Sequence, residues 1–283
     1  MLPLRLPDYY AAAIILFFVA IFAVHFVRRA FREPKPSGAR ATLDLPEGPV
    51  KAYDIWQRVY HWSLFVVLGL VALTGINIFY TGAMNFLLAP FGVVDVLSSM
   101  YWHTTLLWAL LLLVVIHIVW DVAVARSTRS IIPGTTDIKQ TFTRLFNFFG
   151  ATDEYPKHGK YDVFMKVNHW GMALSFTVLG ISGIYMWNPY GLFPVMTPDF
   201  NSLLTILHDI FAFLFVGLII GHVYFAVLPV NWPLMRSMIA GTVKRDVYLD
   251  EFDTSMWPAV RGKKAPAMAV TTPAVTRLAE EVE

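Results

Sequence analysis

The chain has 283 residues, of which 57% are hydrophobic and 15% charged, with a net charge of +2 and no cysteine. A soluble domain carries about 25% charge and cannot hide so much apolar surface, so the composition excludes both a water-soluble globule and disorder. Without cysteine there are no disulfides, no iron–sulfur ligation and no thiolate catalysis, and any metal falls to His, Met or carboxylates.

Five apolar stretches each approach the roughly 20 residues of a bilayer crossing. They run over Tyr9–Val27, His61–Tyr80, Met100–Trp120, Val167–Trp187 and Leu203–Leu228. This predicts an all-α integral membrane protein of five transmembrane helices. The first stretch has little basic charge before it and Arg28-Arg29 after it, so residues 1–31 read as a retained anchor rather than a cleaved signal. Residues 32–52, rich in Pro and Gly, read as a linker. Residues 53–250 form the main domain, interrupted by a polar loop at 126–165 with an amphipathic helix expected near Ile138–Phe149. His158, in that loop, is expected to be solvated. Residues 251–283 read as a mobile tail.

Segments 28–58, 125–168 and 229–283 each carry seven Lys or Arg, whereas the connections 81–99 and 188–202 carry none. Five spans place all three basic segments on one side. The positive-inside rule makes that side cytoplasmic, with the N-terminus outside, as in a bacterial inner membrane. Trp and Tyr gather at the span ends, as interfacial anchors do. No nucleotide-binding glycine pattern, catalytic triad or carboxylate pair is visible, and nothing points to a nucleic-acid partner.

The chain repeats itself over 53–124 and 161–228. Arg58-Val-Tyr-His61-Trp62 leads to Thr74-Gly75-Ile76, and Lys166-Val-Asn-His169-Trp170 leads to Ser182-Gly183-Ile184. The next span of each half holds two histidines fourteen apart, His103 with His117 and His208 with His222. Fourteen residues fall about 40° short of four helical turns, so each pair shares a face about 21 Å apart, one near each membrane surface. His103 and His208 then lie at the outer depth, and His61, His117, His169 and His222 at the inner depth. Ionisable groups inside a membrane are rare and usually functional, and histidines on facing helices can hold a haem iron axially. Gly75 and Gly183 lie level with His103 and His208, where a missing side chain suits either a flat macrocycle or close helix packing. Arg58 and Lys166 are within reach of haem propionates. His25, alone on the first span, reads as a packed or hydrogen-bonded residue, and the eleven Met as core filler.

At these residues, together with Gly159-Lys160-Tyr161 and Trp187-Asn188-Pro189-Tyr190, the chain resembles the cytochrome b (gamma) subunit of membrane-bound formate dehydrogenases. More distantly, it resembles that of nickel–iron hydrogenases. The similarity covers about residues 53–250, with the first span as an addition. It implies a four-helix bundle holding two haems b, joined to a periplasmic iron–sulfur subunit and a catalytic subunit, and passing electrons to or from membrane quinone. It implies His103 and His208 for the outer haem, and His61 and His222 for the inner one. His117 and His169 are not ligands in that pattern, and the repeat relates them to His61 and His222, which opens a third haem site. The quinone position that resemblance implies falls at Tyr161 and Asp162, where the family has Asn in place of Asp. A pairing of His117 with His222, as in quinol-oxidising complexes, would leave His61 and His169 unexplained. The competing functions are a self-sufficient transmembrane reductase of the cytochrome b561 type and a non-redox transporter with His proton relays.

Overall fold

The computed structural model describes residues 6–30, 48–188 and 191–258. Its long helices are α1 (Leu6–Ala30), α2 (Ile55–Phe79), α3 (Val96–Val119), α5 (Val163–Trp187) and α6 (Pro198–Val227); α4 (Thr135–Phe149) is shorter. Two more helices, α7 (Trp232–Ala240) and α8 (Arg245–Glu251), follow the last span. The five long helices are long and apolar enough to cross a membrane, as the sequence predicts. Most of the expected linker, 31–47, and of the expected tail, 259–283, lies outside the described residues, as do Pro189 and Tyr190.

Helix starts follow from local chemistry. Asp54, Asp95 and Asp162 each accept a hydrogen bond from the backbone N–H three residues on, at 2.8, 2.7 and 2.7 Å, so the first turns of α2, α3 and α5 do not leave donors bare. Thr197 does the same for α6 at 3.3 Å. Asn188 and Gly150 end α5 and α4 in the left-handed conformation that Asn and Gly tolerate best.

The helices assemble as two tight antiparallel pairs, α2 with α3 and α5 with α6, and close backbone approach between the pairs is sparse. Aromatic contacts cross that gap, Phe79 to Phe213 at 5.0 Å and Trp108 to Trp187 at 6.1 Å. Helix α1 runs parallel to α6. Phe18 and Phe22 of α1 seat on Gly217 and Gly221, where a Cβ would lie 2.3 and 2.8 Å from the rings, so only glycine admits them. His25 meets the Tyr224 hydroxyl at 3.0 Å and stacks on Phe148, a packed and hydrogen-bonded residue as expected.

The structure departs from the sequence reading at the edges of the main domain. Val50–Lys51, at the end of the expected linker, pairs antiparallel with Thr242–Val243 as a two-stranded ladder, β1 with β2. Phe252, in the expected mobile tail, is buried with Val50, Ala52, Val243 and Tyr248. His158, expected to be solvated, is 3% exposed and bridges to Phe252. A small apolar core at the basic end of the bundle therefore gathers segments that composition assigns to loops. Helix α4 lies nearby, starting three residues before the expected position.

Candidate functional site

The structure brings the six spanning histidines together as three facing pairs. Ring centroids lie 6.5 Å apart for His103 and His208, 6.1 Å for His61 and His222, and 6.1 Å for His117 and His169. Two imidazoles on opposite sides of one metal ion, each bonded at about 2 Å, place their centroids roughly 6 Å apart. All three separations fit an ion held between the rings. The pairs join α3 to α6, α2 to α6 and α3 to α5, so every one bridges the sparsely packed gap between the helix pairs.

At the His103–His208 end the two halves match closely. His103 Nδ1 lies 3.0 Å from the Val71 carbonyl and 3.1 Å from the Thr74 hydroxyl. A carbonyl only accepts, so Nδ1 carries the proton and Nε2 keeps its lone pair. His208 Nδ1 lies 3.0 Å from the Ser182 hydroxyl. Thr74 and Ser182 in turn donate to carbonyls one turn back on their own helices. This is how metal-ligating imidazoles are commonly oriented, with the second nitrogen bound to backbone. The two glycines complete the seat: a Cβ on Gly75 would lie 3.2 Å from His103 Cε1, and one on Gly183 would lie 3.2 Å from His208 Cε1. What occupies the space beside each glycine is thus the imidazole edge.

At the basic end the halves differ. His117 Nδ1 lies 3.0 Å from Asp121 Oδ2, close but not well aligned for a hydrogen bond. Asp121 accepts from Tyr60 (2.7 Å), Gln57 (2.9 Å) and Ser127 (2.8 Å). His61 Nδ1 is buried without a hydrogen-bond partner among the described residues. The sequence reading missed Asp121, although a carboxylate four residues after a histidine shares its helix face. It also passed over Thr74 and Ser182, which stand immediately before the two glycines of the repeat.

The two cations assigned to haem propionates are engaged elsewhere. Lys166 is buried and forms an ion pair with Asp137 at 2.7 Å, because a buried ammonium needs a charged partner. Arg58 donates to the carbonyls of Asp54 and Ile239 across the start of α2. Asp162 likewise has structural work. One oxygen caps α5 and the other pairs with Arg144 at 3.1 Å, and both side chains are buried. Tyr161 instead lies beside Tyr53 and Lys160, whose ammonium is 4.4 Å above the Tyr53 ring and 5.4 Å from the Tyr161 ring. Burial lowers the Lys160 pKa to about 8, against the pull of Asp121 and Asp54. Burial, with Tyr53 beside it, raises the Tyr161 hydroxyl well above its ordinary value. The small cavity beside Tyr53 and Lys160 measures about 20 Å³, room for water only.

Residues 52–241 match the prokaryotic cytochrome b561 family. The chain belongs to that family. It is accordingly a multi-pass membrane b-type cytochrome of electron transfer, with haem b as its cofactor. Among its relatives is the cytochrome b556(Fdn) subunit of the nitrate-inducible formate dehydrogenase of Escherichia coli K12. The two are 24% identical over 194 residues, covering 66% of this chain and 81% of the relative. The counterparts from Escherichia coli O157:H7 and Shigella flexneri match to the same extent. The family match begins after α1, which lies outside the matched residues.

Proposed function

We propose that this b-type cytochrome is the membrane subunit of an oxidoreductase complex. In this reading it carries electrons between a partner on its periplasmic face, with iron–sulfur and catalytic subunits, and the quinone pool of the inner membrane. The observation that carries this reading is the set of histidine pairs at two depths of one bundle. His103 and His208 would hold the outer haem, and His61 and His222 the inner one. When bound there, a haem would supply a one-electron iron couple.

The chain's own residues do the rest. Val71, Thr74 and Ser182 orient the outer imidazoles through Nδ1, so that Nε2 of each would be left for iron. Gly75 and Gly183 let those rings settle against the helix backbone. At the basic end, a quinone would meet the outside of the Tyr53, Lys160 and Tyr161 cluster, since the cavity beside Tyr53 and Lys160 holds water only. Asp162 supports that cluster by holding Arg144 and the start of α5. Quinone would then take up protons from the cytoplasmic side. The relative's name as a formate dehydrogenase subunit supports association with a dehydrogenase. The charge of the basic end supports reading it as the cytoplasmic side, and with α1 parallel to α6 the N-terminus would then lie outside.

The purified chain, reduced chemically in lipid nanodiscs, tests this. Addition of a short-chain quinone should return the haem bands to the oxidised form. Copurification from native membranes should yield an iron–sulfur and a catalytic subunit. A reduced spectrum that quinone leaves unchanged contradicts the quinone role, and a chain recovered alone from gently solubilised membranes contradicts the complex.

A further inference from the structure

The repeat acts on the histidine pairs as a pseudo-two-fold axis. It exchanges α2 with α5 and α3 with α6, so His61 corresponds to His169, His103 to His208 and His117 to His222. The outer pair maps onto itself. The pair His61–His222 maps onto His169–His117, and both have the same 6.1 Å centroid separation. The aromatic contact Phe79–Phe213 likewise maps onto Trp187–Trp108. The bundle therefore holds two equivalent inner positions for a metal between imidazoles, where the formate dehydrogenase resemblance implies one.

The two positions are not chemically alike. Asp121 corresponds to Ala226 in the other half, Tyr60 to Asn168 and Gln57 to Met165. Asp121 follows His117 at the start of a π-helical turn, Trp120–Val124, a distortion that often marks functional sites. Tyr60, Gln57 and Ser127 all donate to it and hold its oxygens in place beside His117 Nδ1. A carboxylate behind a metal-bound imidazole orients the ring and makes it a stronger donor. His61 has no such group behind it.

Resting on the haem reading above, we propose that His117 and His169 form a third haem site, with Asp121 as the positioning residue for His117. The negative charge of Asp121 stabilises ferric over ferrous iron, so this site has a lower midpoint potential than its twin at His61–His222. Two inner sites of unlike potential give the electron path a branch at the basic end.

Haem extracted from the purified full-length chain tests the count directly. Three haems per chain are expected, falling by one third in His117→Ala and in His169→Ala. Asp121→Asn should keep three haems but raise the midpoint of one component in a redox titration, with the other two unmoved. Asp121→Glu should restore the low midpoint, which a merely structural role would not require. A count of two that both His variants leave unchanged overturns the third site. Midpoints that Asp121→Asn does not move overturn the role of Asp121. A chain that binds no haem at all contradicts the underlying haem reading instead.

Discussion

The two ends of the bundle are built from one repeat and have come out differently. At the outer end, His103 and His208 sit on Gly75 and Gly183 with equal clearances of 3.2 Å, and their Nδ1–hydroxyl distances differ by 0.1 Å. At the basic end, one half carries Asp121, Tyr60 and Gln57 where the other has Ala226, Asn168 and Met165. Two buried ion pairs, Lys166–Asp137 and Arg144–Asp162, are added there from α4. The lesson is that a site lying on the pseudo-two-fold axis stays symmetric, as a single ligand touching both halves would require. Sites off the axis are free to diverge, and here they diverge at the basic end, where the loop segments pack.

The largest expected effect attacks the symmetric end. His103→Ala or His208→Ala should remove the outer haem while leaving inner haem in place, since no other spanning histidine lies at that depth. Haem content and the reduced spectrum check this. Retention of full haem in both variants would break the contrast between the ends. Next in size is the ion-pair scaffold of the basic end. Asp162→Asn keeps an acceptable helix cap but strands the Arg144 guanidinium, which is 1% exposed, at a cost of about 3–5 kcal/mol. Thermal unfolding in detergent should show a clear drop in Tm with haem content unchanged at the outer site.

A smaller effect separates charge from structure at Lys160. Its pKa of about 8 means that the ammonium is present below pH 8 and lost above it. If it assists quinone, reoxidation of the reduced chain by quinone should slow as pH rises through 8. Lys160→Arg should abolish that slowing, because guanidinium stays charged. A pH profile identical in wild type and variant removes Lys160 from the quinone reaction. Smallest is Gly75→Ala. It adds about 1 kcal/mol of helix propensity, yet its Cβ asks the His103 ring to shift by a few tenths of an ångström. The outer haem should stay bound with a shifted midpoint, and Gly183→Ala should shift the same midpoint by a similar amount. Unequal shifts would show that the outer end is less symmetric than its geometry.

Much of this was legible in the sequence. The five spans follow from apolar length, and the two depths of the histidines follow from the fourteen-residue spacing and the repeat, while the pairing of His61 with His222 is what the family resemblance implies. The role of the glycines was half legible: their level was correct, but the imidazole filling that space depends on helix rotation that periodicity does not fix. The ion pairs were not legible, because Asp137 and Lys166, or Arg144 and Asp162, sit on different elements joined by an irregular loop. Nor was His158, whose burial depends on Phe252 returning from the C-terminal side. Strands of two residues, such as Val50–Lys51 and Thr242–Val243, carry no periodicity to detect. Asp121 could have been found from its spacing to His117, and Lys166 could have been read as an ion-pair cation once Asp137 was placed on the inward face of α4.

The central claim is that facing histidines of this bundle hold haem iron by two imidazoles each. Low-temperature electron paramagnetic resonance of the oxidised, purified chain tests it most directly. The account predicts low-spin ferric signals typical of two axial imidazoles, with the outer component missing in His103→Ala. Only high-spin signals, or no haem signal in a correctly folded chain, would contradict it.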